Sequence, residues 1–357
     1  MAEENNEQII EDDPIEVRRA KREALLAEGK NPYGHAAFEY SHHIVDLDEK
    51  YAELADGENT EDAVSIAGRV MAKRVQGKII FFELQDATGR IQLFCRINAL
   101  GEDVFAEMKD LDLGDWIGAH GLMMRTRRGQ LSVAVDSFQL LSKALRPLPE
   151  KFHGLNDKET RYRQRYVDLF MNPEVKDVFL KRSRILSEIR AYLDGKGFLE
   201  VDTPILQTVQ GGATAKPFIT HFNALNQENY LRIATELHLK RLLVGGFERV
   251  FEIGRIFRNE GMDPTHNPEF TTMEAYCAFN DLQGMKKLAQ GVIKAANAAV
   301  NDSEQLEYQG QTIDISGEWP SIPMTEIVSK ALGEEVTLDT SVSHLAEVAK
   351  KALADAE

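Results

Sequence analysis

Phe257-Arg258-Asn259-Glu260-Gly261, then His266-Asn267-Pro268-Glu269-Phe270-Thr271, then Glu274 and Tyr276, place nearly every kind of nucleotide-handling side chain within one short stretch. An arginine supplies a rigid fork for phosphate oxygens, a histidine a second donor, and a phenylalanine an apolar face on which a base can stack. A carboxylate and a phenol two positions apart suit an ammonium group. Taken singly, the same residues also fit a charged β-hairpin in which Arg258 and Glu260 form ordinary surface pairs of little net energy. The order and spacing of so many chemically committed residues favour a site.

The spelling FRNEG, five residues, HNPEFT, then ExY resembles motif 2 of the class II aminoacyl-tRNA synthetases, in the form typical of lysyl-tRNA synthetases. That resemblance implies an ATP-dependent ligase that activates L-lysine as lysyl-adenylate and transfers it to the 3' end of tRNA(Lys). It implies that Arg258 bridges the lysine carboxylate and the ATP α-phosphate, that Phe270 stacks on adenine, and that Glu260, His266 and Asn267 contact the nucleotide. Glu274 and Tyr276 are then expected at the side-chain end of the lysine pocket.

The 357 residues suffice for two or more domains, and 43% hydrophobic content suits globular cores. No apolar run approaches the roughly 20 residues of a membrane span, and MAEENNEQIIEDD lacks the basic and apolar regions of a signal peptide. A cytoplasmic protein without membrane partners is expected. Cys95 and Cys277 lie far apart, with neither disulfide nor metal spacing, and are expected as small core residues.

The net charge of −16 is unevenly distributed. Residues 1–63 hold 6 Lys/Arg against 18 Asp/Glu and residues 301–357 hold 3 against 12, whereas residues 64–165 hold 17 against 12. The basic excess therefore sits in one segment, where an RNA-binding module or simply a solvated face would put it.

Asp13-Pro14 marks an N-cap with proline at the first helical position, and the helix is expected to stop at Gly29. Its Arg18, Arg19, Lys21 and Arg22 could face RNA or solvent. From Val64 to Leu141 the runs VSIAGRV, KIIFFELQD, GRIQLFCR, WIGAHGLMM and LSVAVDSFQLL alternate as strands. Val104, Phe105, Met108 and Leu111 have helical spacing between the third and fourth. Three strands, a helix and two strands is the order of an OB-fold barrel. With Ile80, Phe82, Leu84, Ile91, Leu93 and Cys95 inward, Phe81, Phe94, Gln92 and Arg96 face outward, a surface suited to stacking and reading single-stranded RNA. By the resemblance, Phe81 stacks on an anticodon base while Arg74 and Gln92 select uridines.

The expected organisation is α+β with an all-β module. It comprises an N-terminal helical extension (1–63), a five-stranded OB-fold anticodon-binding barrel (64–142), a linker (143–160), and part of a class II antiparallel-sheet catalytic domain (161–357). RYRQRYVDL, at the start of the last, reads either as a basic contact to tRNA or as a first helix. In the following stretch Val178, Phe179, Ile185, Ile189, Tyr192 and Leu193 suit one helix face, ended by Gly195 or Gly197, and a strand is expected to end at Thr203-Pro204. This resembles class II motif 1, which implies a homodimer interface around Pro204. Gly211-Gly212 permits close backbone approach. By the resemblance Gly212 lies beside the lysine α-ammonium, with Glu236 opposite. The family usually has Pro where Thr235 stands and often Tyr at His238.

Helices are expected at about 281–300 and 342–356. Motif 3 is absent, so the second ATP-binding arginine and the Mg²⁺ ligands are expected beyond residue 357. LDTSVSHLAEVAKKALADAE reads as a helix without a capping glycine, as an interrupted chain would leave it. A sheet short of strands, with exposed edges and apolar surface, is expected. The competing expectation is a non-catalytic tRNA-binding or regulatory protein. A ligase that lysylates a protein is disfavoured, because such relatives generally lack the N-terminal barrel.

Overall fold

Strict alternation of apolar and polar residues builds the first unit, in which Ile80, Phe82, Leu84, Ile91, Leu93 and Cys95 all point inward and are at most 2% exposed. The computed structural model describes residues 13–35, 37–149 and 155–354. The acidic start at 1–12, residues 150–154 of the expected linker and the last three residues lie outside the described residues. The chain divides after Met171 into two units.

In the first unit β1 (Asn59–Gln76), β2 (Ile79–Gln85), β3 (Arg90–Arg96), β4 (Trp116–Arg125) and β5 (Leu131–Ser142) close into a barrel of order β1-β2-β3-β5-β4. All neighbours are antiparallel except β3 and β5. The succession expected from the sequence, three strands, a helical segment and two strands, is the one found. β1 serves both β2 and β4 because its register shifts between Val70 and Ala72 and again between Asn59 and Ala63, bending one long strand around the closure.

Helices α1 (Pro14–Ala27), α2 (Ile44–Lys50) and the short α3 (Ile97–Leu100) flank the strands. α2 gives fully buried Ile44 and Leu47 to the barrel core, and α4 (Glu102–Asp110) gives Phe105 and Met108. Burial pushes the Cys95 thiol up to about 12.

The Asp13 carboxylate accepts from Ile15 N at 3.0 Å and caps α1, with Pro14 at its first turn. Its basic residues do not form a free cationic face. Arg18 is 8% exposed and donates to the carbonyls of Leu113 and Arg146 at 3.0 Å each, and Lys21 pairs with Asp110 and Asp112. Arg19 and Arg22 pair with Glu16 and Glu23. Beneath them Lys143 is buried against Asp112 and the fully buried Asp115. The RYRQR segment forms α5 (Lys158–Arg163) and α6 (Arg165–Met171), where Arg161 and Arg165 both pair with buried Asp168.

The second unit opens with α7 (Pro173–Gly195). Of its expected apolar face only the C-terminal part packs: Leu193 is buried and Ile189 and Tyr192 lie against the core, whereas Val178 and Phe179 are exposed. β6 is shorter than expected, spanning Leu199–Glu200, and Thr203-Pro204 lies beyond it in irregular chain. β7 (Leu206–Gln207), β8 (Ile219–Phe222) and β9 (Gln227–Leu231) form a small sheet of order β7-β9-β8, followed by α8 (Glu236–Val244). β10 (Arg249–Phe257) and β11 (Glu269–Cys277) form a hairpin that joins β6 in the order β11-β10-β6. α9 (Leu282–Ala298) covers this sheet together with α7. Then come the hairpin β12 (Gln305–Tyr308) and β13 (Gln311–Asp314), followed by α10 (Met324–Leu332) and α11 (Val342–Ala354). The two helices expected here are α9 and α11. The region between them, read from sequence as less defined, holds the hairpin and α10, although Met324, Ile327, Val328, Ala331 and Leu332 have helical spacing.

Among the described residues no helix is long and apolar enough to cross a membrane.

Candidate active site and nucleic-acid interface

The β10–β11 hairpin has two unlike faces. Phe251, Ile253, Met273, Ala275 and Cys277 pack with Leu193 and Val292 beneath the helices. Antiparallel pairing sets Glu252 opposite Glu274, Val250 opposite Tyr276 and Ile256 opposite Phe270, so these side chains share the other face.

Arg258 N donates to Pro268 O at 2.9 Å, which carries the ladder one step past β10. Its guanidinium lies over the Phe270 ring, 5.4 Å from the centroid, and its only hydrogen bonds among the described residues are long ones to Ile233 O at 3.4 and 3.5 Å. A fork held this loosely keeps donors available for a carboxylate or phosphate. Asn259 N bonds Lys216 O at 2.7 Å and Lys216 N reaches Glu260 Oε1 at 3.4 Å, tying the segment after Gly212 to the hairpin.

The acids meet at the start of α8. Thr235 N donates to Glu274 Oε1 at 3.2 Å, and Tyr276 Oη donates to Glu274 Oε2 at 3.1 Å. Burial, reinforced by the Glu274 charge and that hydrogen bond, pushes the Tyr276 phenol well above its ordinary value, so it remains a donor. Gly212, at φ +89°, sits so close that a Cβ there would lie 3.1 Å from Ala234 Cβ and 3.2 Å from Glu236 Cβ. Glu236 itself pairs with Lys240 one turn along at 2.7 Å, an i,i+4 pair weak enough for a ligand ammonium to replace.

The structure therefore brings Arg258 against Phe270, Glu274 against Tyr276, and Gly212 against Glu236. His266 and Asn267 stand apart, exposed on the hairpin loop, where His266 Nδ1 bonds Asp263 at 2.8 Å. Pro204 is exposed and belongs to none of these groups. Val178, Phe179 and Leu180 on α7, and Ile205, Leu206 and Val209 beyond Pro204, are exposed apolar side chains.

Sequence reasoning passed over the support beneath the acids. Arg232 and Glu252 are each 2% exposed and pair at 2.5 Å. Arg232 also donates to Thr203 O and Arg255 O, and Thr203 Oγ1 donates to Glu252 Oε2 at 2.6 Å. Gly254 makes the room, since a Cβ there would lie 2.2 Å from Arg232 Nη2. Among the described residues no group of three or more His, Cys, Asp or Glu is arranged to hold a metal ion.

On the barrel a second constellation forms in two rows across neighbouring strands. In one, Arg74, Phe81 and Phe94 are paired in register. Arg74 Cζ lies 4.8 Å from the Phe81 centroid, the two rings are 5.4 Å apart, and Arg96 Cζ is 5.4 Å from Phe94. In the other, Ala72, Glu83, Gln92 and Ser132 align. Arg74, Phe81 and Gln92, expected together, line one groove with Glu83, Arg90 and Gln130. Aromatic faces beside amide and guanidinium groups suit single-stranded nucleic acid.

Residues 157–352 match the family model for tRNA synthetases class II (D, K and N), and residues 64–141 match that for the OB-fold nucleic acid binding domain. Three curated relatives, each named lysine–tRNA ligase, illustrate the likeness. The one from Nostoc punctiforme is 49% identical over 91% of this chain and 59% of its own length. That from Enterococcus faecalis is 46% identical over 98% and 71%. That from Thermosynechococcus vestitus is 50% identical over 89% and 63%. The chain thus spans about three fifths to seven tenths of the length of these relatives.

Proposed function

Because this chain belongs to the class II tRNA synthetases (D, K and N), on the lysine–tRNA ligase branch, we propose that it carries the lysine- and tRNA-recognising part of a lysine–tRNA ligase. In this reading ATP and L-lysine form lysyl-adenylate with release of pyrophosphate, and the lysyl group passes to the 3' end of tRNA(Lys). The reading places the work in the cytoplasm, with the barrel at 64–142 binding the anticodon and the domain from 161 onward doing the chemistry.

The observation that carries the proposal is the Thr235–Glu274–Tyr276 arrangement on the same strand face as Arg258 and Phe270. A buried ammonium is tolerable only when carboxylates and hydroxyls pair with it. Glu274, its lone pairs oriented by Thr235 N and Tyr276, receives the side-chain ammonium of lysine, and Glu236 beside Gly212 receives the α-ammonium in exchange for Lys240. Arg258 bridges the lysine carboxylate and the α-phosphate, aligning the attack and stabilising the charge that develops. Phe270 offers its free face to adenine, with Glu260, His266 and Asn267 at the nucleotide. The described residues do not fit a Mg²⁺ site. The exposed apolar residues of α7 and those following Pro204 support a homodimer interface.

Amino-acid-dependent exchange of pyrophosphate into ATP, measured on a chain completed to the full length of its relatives, tests the reading. Lysine is expected to support exchange about 10⁴ better than norleucine, whose uncharged end leaves Glu274 unpaired. Equal rates with both, or exchange with neither, would overturn it.

A further inference from the structure

Gln92 is expected to read a base, but an amide reads nothing definite until its two ends are told apart. Uracil presents an N3–H donor beside the O4 acceptor, and cytosine presents the N3 acceptor beside the N4 amino donor. An amide carries an acceptor and a donor side by side, and its terminal torsion is broad and roughly two-fold. Free to turn over, it satisfies either pyrimidine. Held one way round, it satisfies one and opposes the other.

Ser132 holds it. This residue is fully buried and lies beside Gln92 across the parallel β3–β5 pair. Its hydroxyl donates to Gln130 O at 3.1 Å, which commits the proton and turns the oxygen lone pairs toward Gln92. Gln92 Nε2 donates to that oxygen at 2.9 Å. Turning the amide over would set its carbonyl oxygen against the hydroxyl's lone pairs. Gln130, just before β5, is itself anchored, since its carbonyl also accepts from Thr126 N at 2.9 Å. The neighbouring Phe81–Phe94 row adds stacking, to which every base responds, so the choice between pyrimidines falls to the amide.

We propose that Ser132 is a positioning residue for specificity: by fixing the orientation of the Gln92 amide it makes the groove discriminate uracil from cytosine. The inference rests on the reading of this groove as the anticodon site. It assigns to a buried serine, which touches no RNA, the difference between binding a base and identifying it.

The test measures binding of the protein to two RNA hairpins, one carrying the tRNA(Lys) anticodon triplet UUU and one carrying UCU, by fluorescence anisotropy. The native protein is expected to prefer UUU by about tenfold or more. Ser132→Ala is expected to bring the two affinities within about threefold of each other while leaving the chain folded. Ser132→Cys, which keeps the volume with a much weaker acceptor, gives the same readout if the alanine variant is unstable. Gln92→Ala should show the same loss, and Ser132→Ala/Gln92→Ala no further loss, because the serine acts only through the amide. Undiminished discrimination in the serine variants, or additive losses in the double variant, would overturn the role of Ser132 while leaving the anticodon reading intact. Failure of the native protein to bind either hairpin would instead overturn the anticodon reading, and the role of Ser132 with it.

Discussion

Arg232 lies flat over Gly254 and pairs with Glu252 at 2.5 Å, both side chains 2% exposed, on the sheet face that carries Glu274 and Tyr276. The pair gives that face a neutral floor, so the carboxylates above it are left to meet an ammonium. Desolvation makes such a pair a poor source of net stability when intact but costly when half is removed. Glu252→Ala leaves a buried guanidinium with two backbone carbonyls and the Thr203 hydroxyl but no countercharge, and is expected to cost about 3–5 kcal/mol. Hydrogen exchange of the β10 amides reads this as a lowered local opening energy. Glu252→Gln, which keeps acceptors for Arg232 and Thr203, should lose much less.

Arg18 fastens α1 to the barrel through the carbonyls of Leu113 and Arg146. Arg18→Ala removes charge-assisted bonds worth about 1.5–3 kcal/mol together. The expected outcome is protease cleavage within residues 14–27 at enzyme levels that leave the native helix intact, while the buried β2 and β3 amides keep their protection.

The barrel was legible because period-two alternation decides burial directly: a strand with Ile80, Phe82 and Leu84 on one side leaves Phe81 and Glu83 on the other whatever surrounds it. The hairpin residues were legible because their chemistry is committed and closely spaced. Long-range polar partnerships were not. Nothing local in YLRIATEL says that Arg232 will be buried, because its partners Glu252 and Thr203 lie 20 and 29 positions away and only the fold joins them. The burial of Arg18 was hidden for the same reason, since Leu113, Ala144 and Arg146 contribute carbonyls, which sequence does not distinguish. Ser132 carried no signal at all beyond a polar position in a strand.

Asp263 organises the hairpin loop by accepting from Thr265 N, Thr265 Oγ1 and His266, and these bonds hold its carboxyl down to about 2. A depressed folded value means that the contribution to loop order is complete above the unperturbed value of about 3.9 and is lost as pH falls through about 2. The Thr265 and His266 amide resonances should therefore titrate with a midpoint near the lower value. A midpoint at the unperturbed value would mean that the loop is not organised by these bonds.

Phe81 offers one ring face to Arg74 and packs against Phe94, so its loss removes a stacking platform without opening the barrel core. Phe81→Ala is expected to weaken binding of an anticodon hairpin by about 5- to 150-fold, corresponding to about 1–3 kcal/mol per stacked base. Lysine-dependent pyrophosphate exchange should be unchanged. A comparable loss in exchange would contradict the proposed division of labour between barrel and catalytic domain.

Little holds the Arg258 guanidinium: two long bonds to one carbonyl and a ring beneath. Its guanidinium is thus poised for ligands, and its planar fork is what two separate oxygens, one on a carboxylate and one on a phosphate, require. Arg258→Ala is expected to lower lysine-dependent pyrophosphate exchange by at least about 10²–10³, the cost of removing one preorganised donor group from a developing charge. Arg258→Lys should recover little of this, because an ammonium is a point charge and cannot span both oxygens. Binding of the anticodon hairpin should stay within about twofold of the native protein in both variants, since Arg258 belongs to the unit after Met171 and the barrel to the unit before it. Equal loss of exchange and of RNA binding would mean that Arg258 maintains the fold rather than the chemistry, and full recovery by lysine would mean that charge alone, without the fork, suffices.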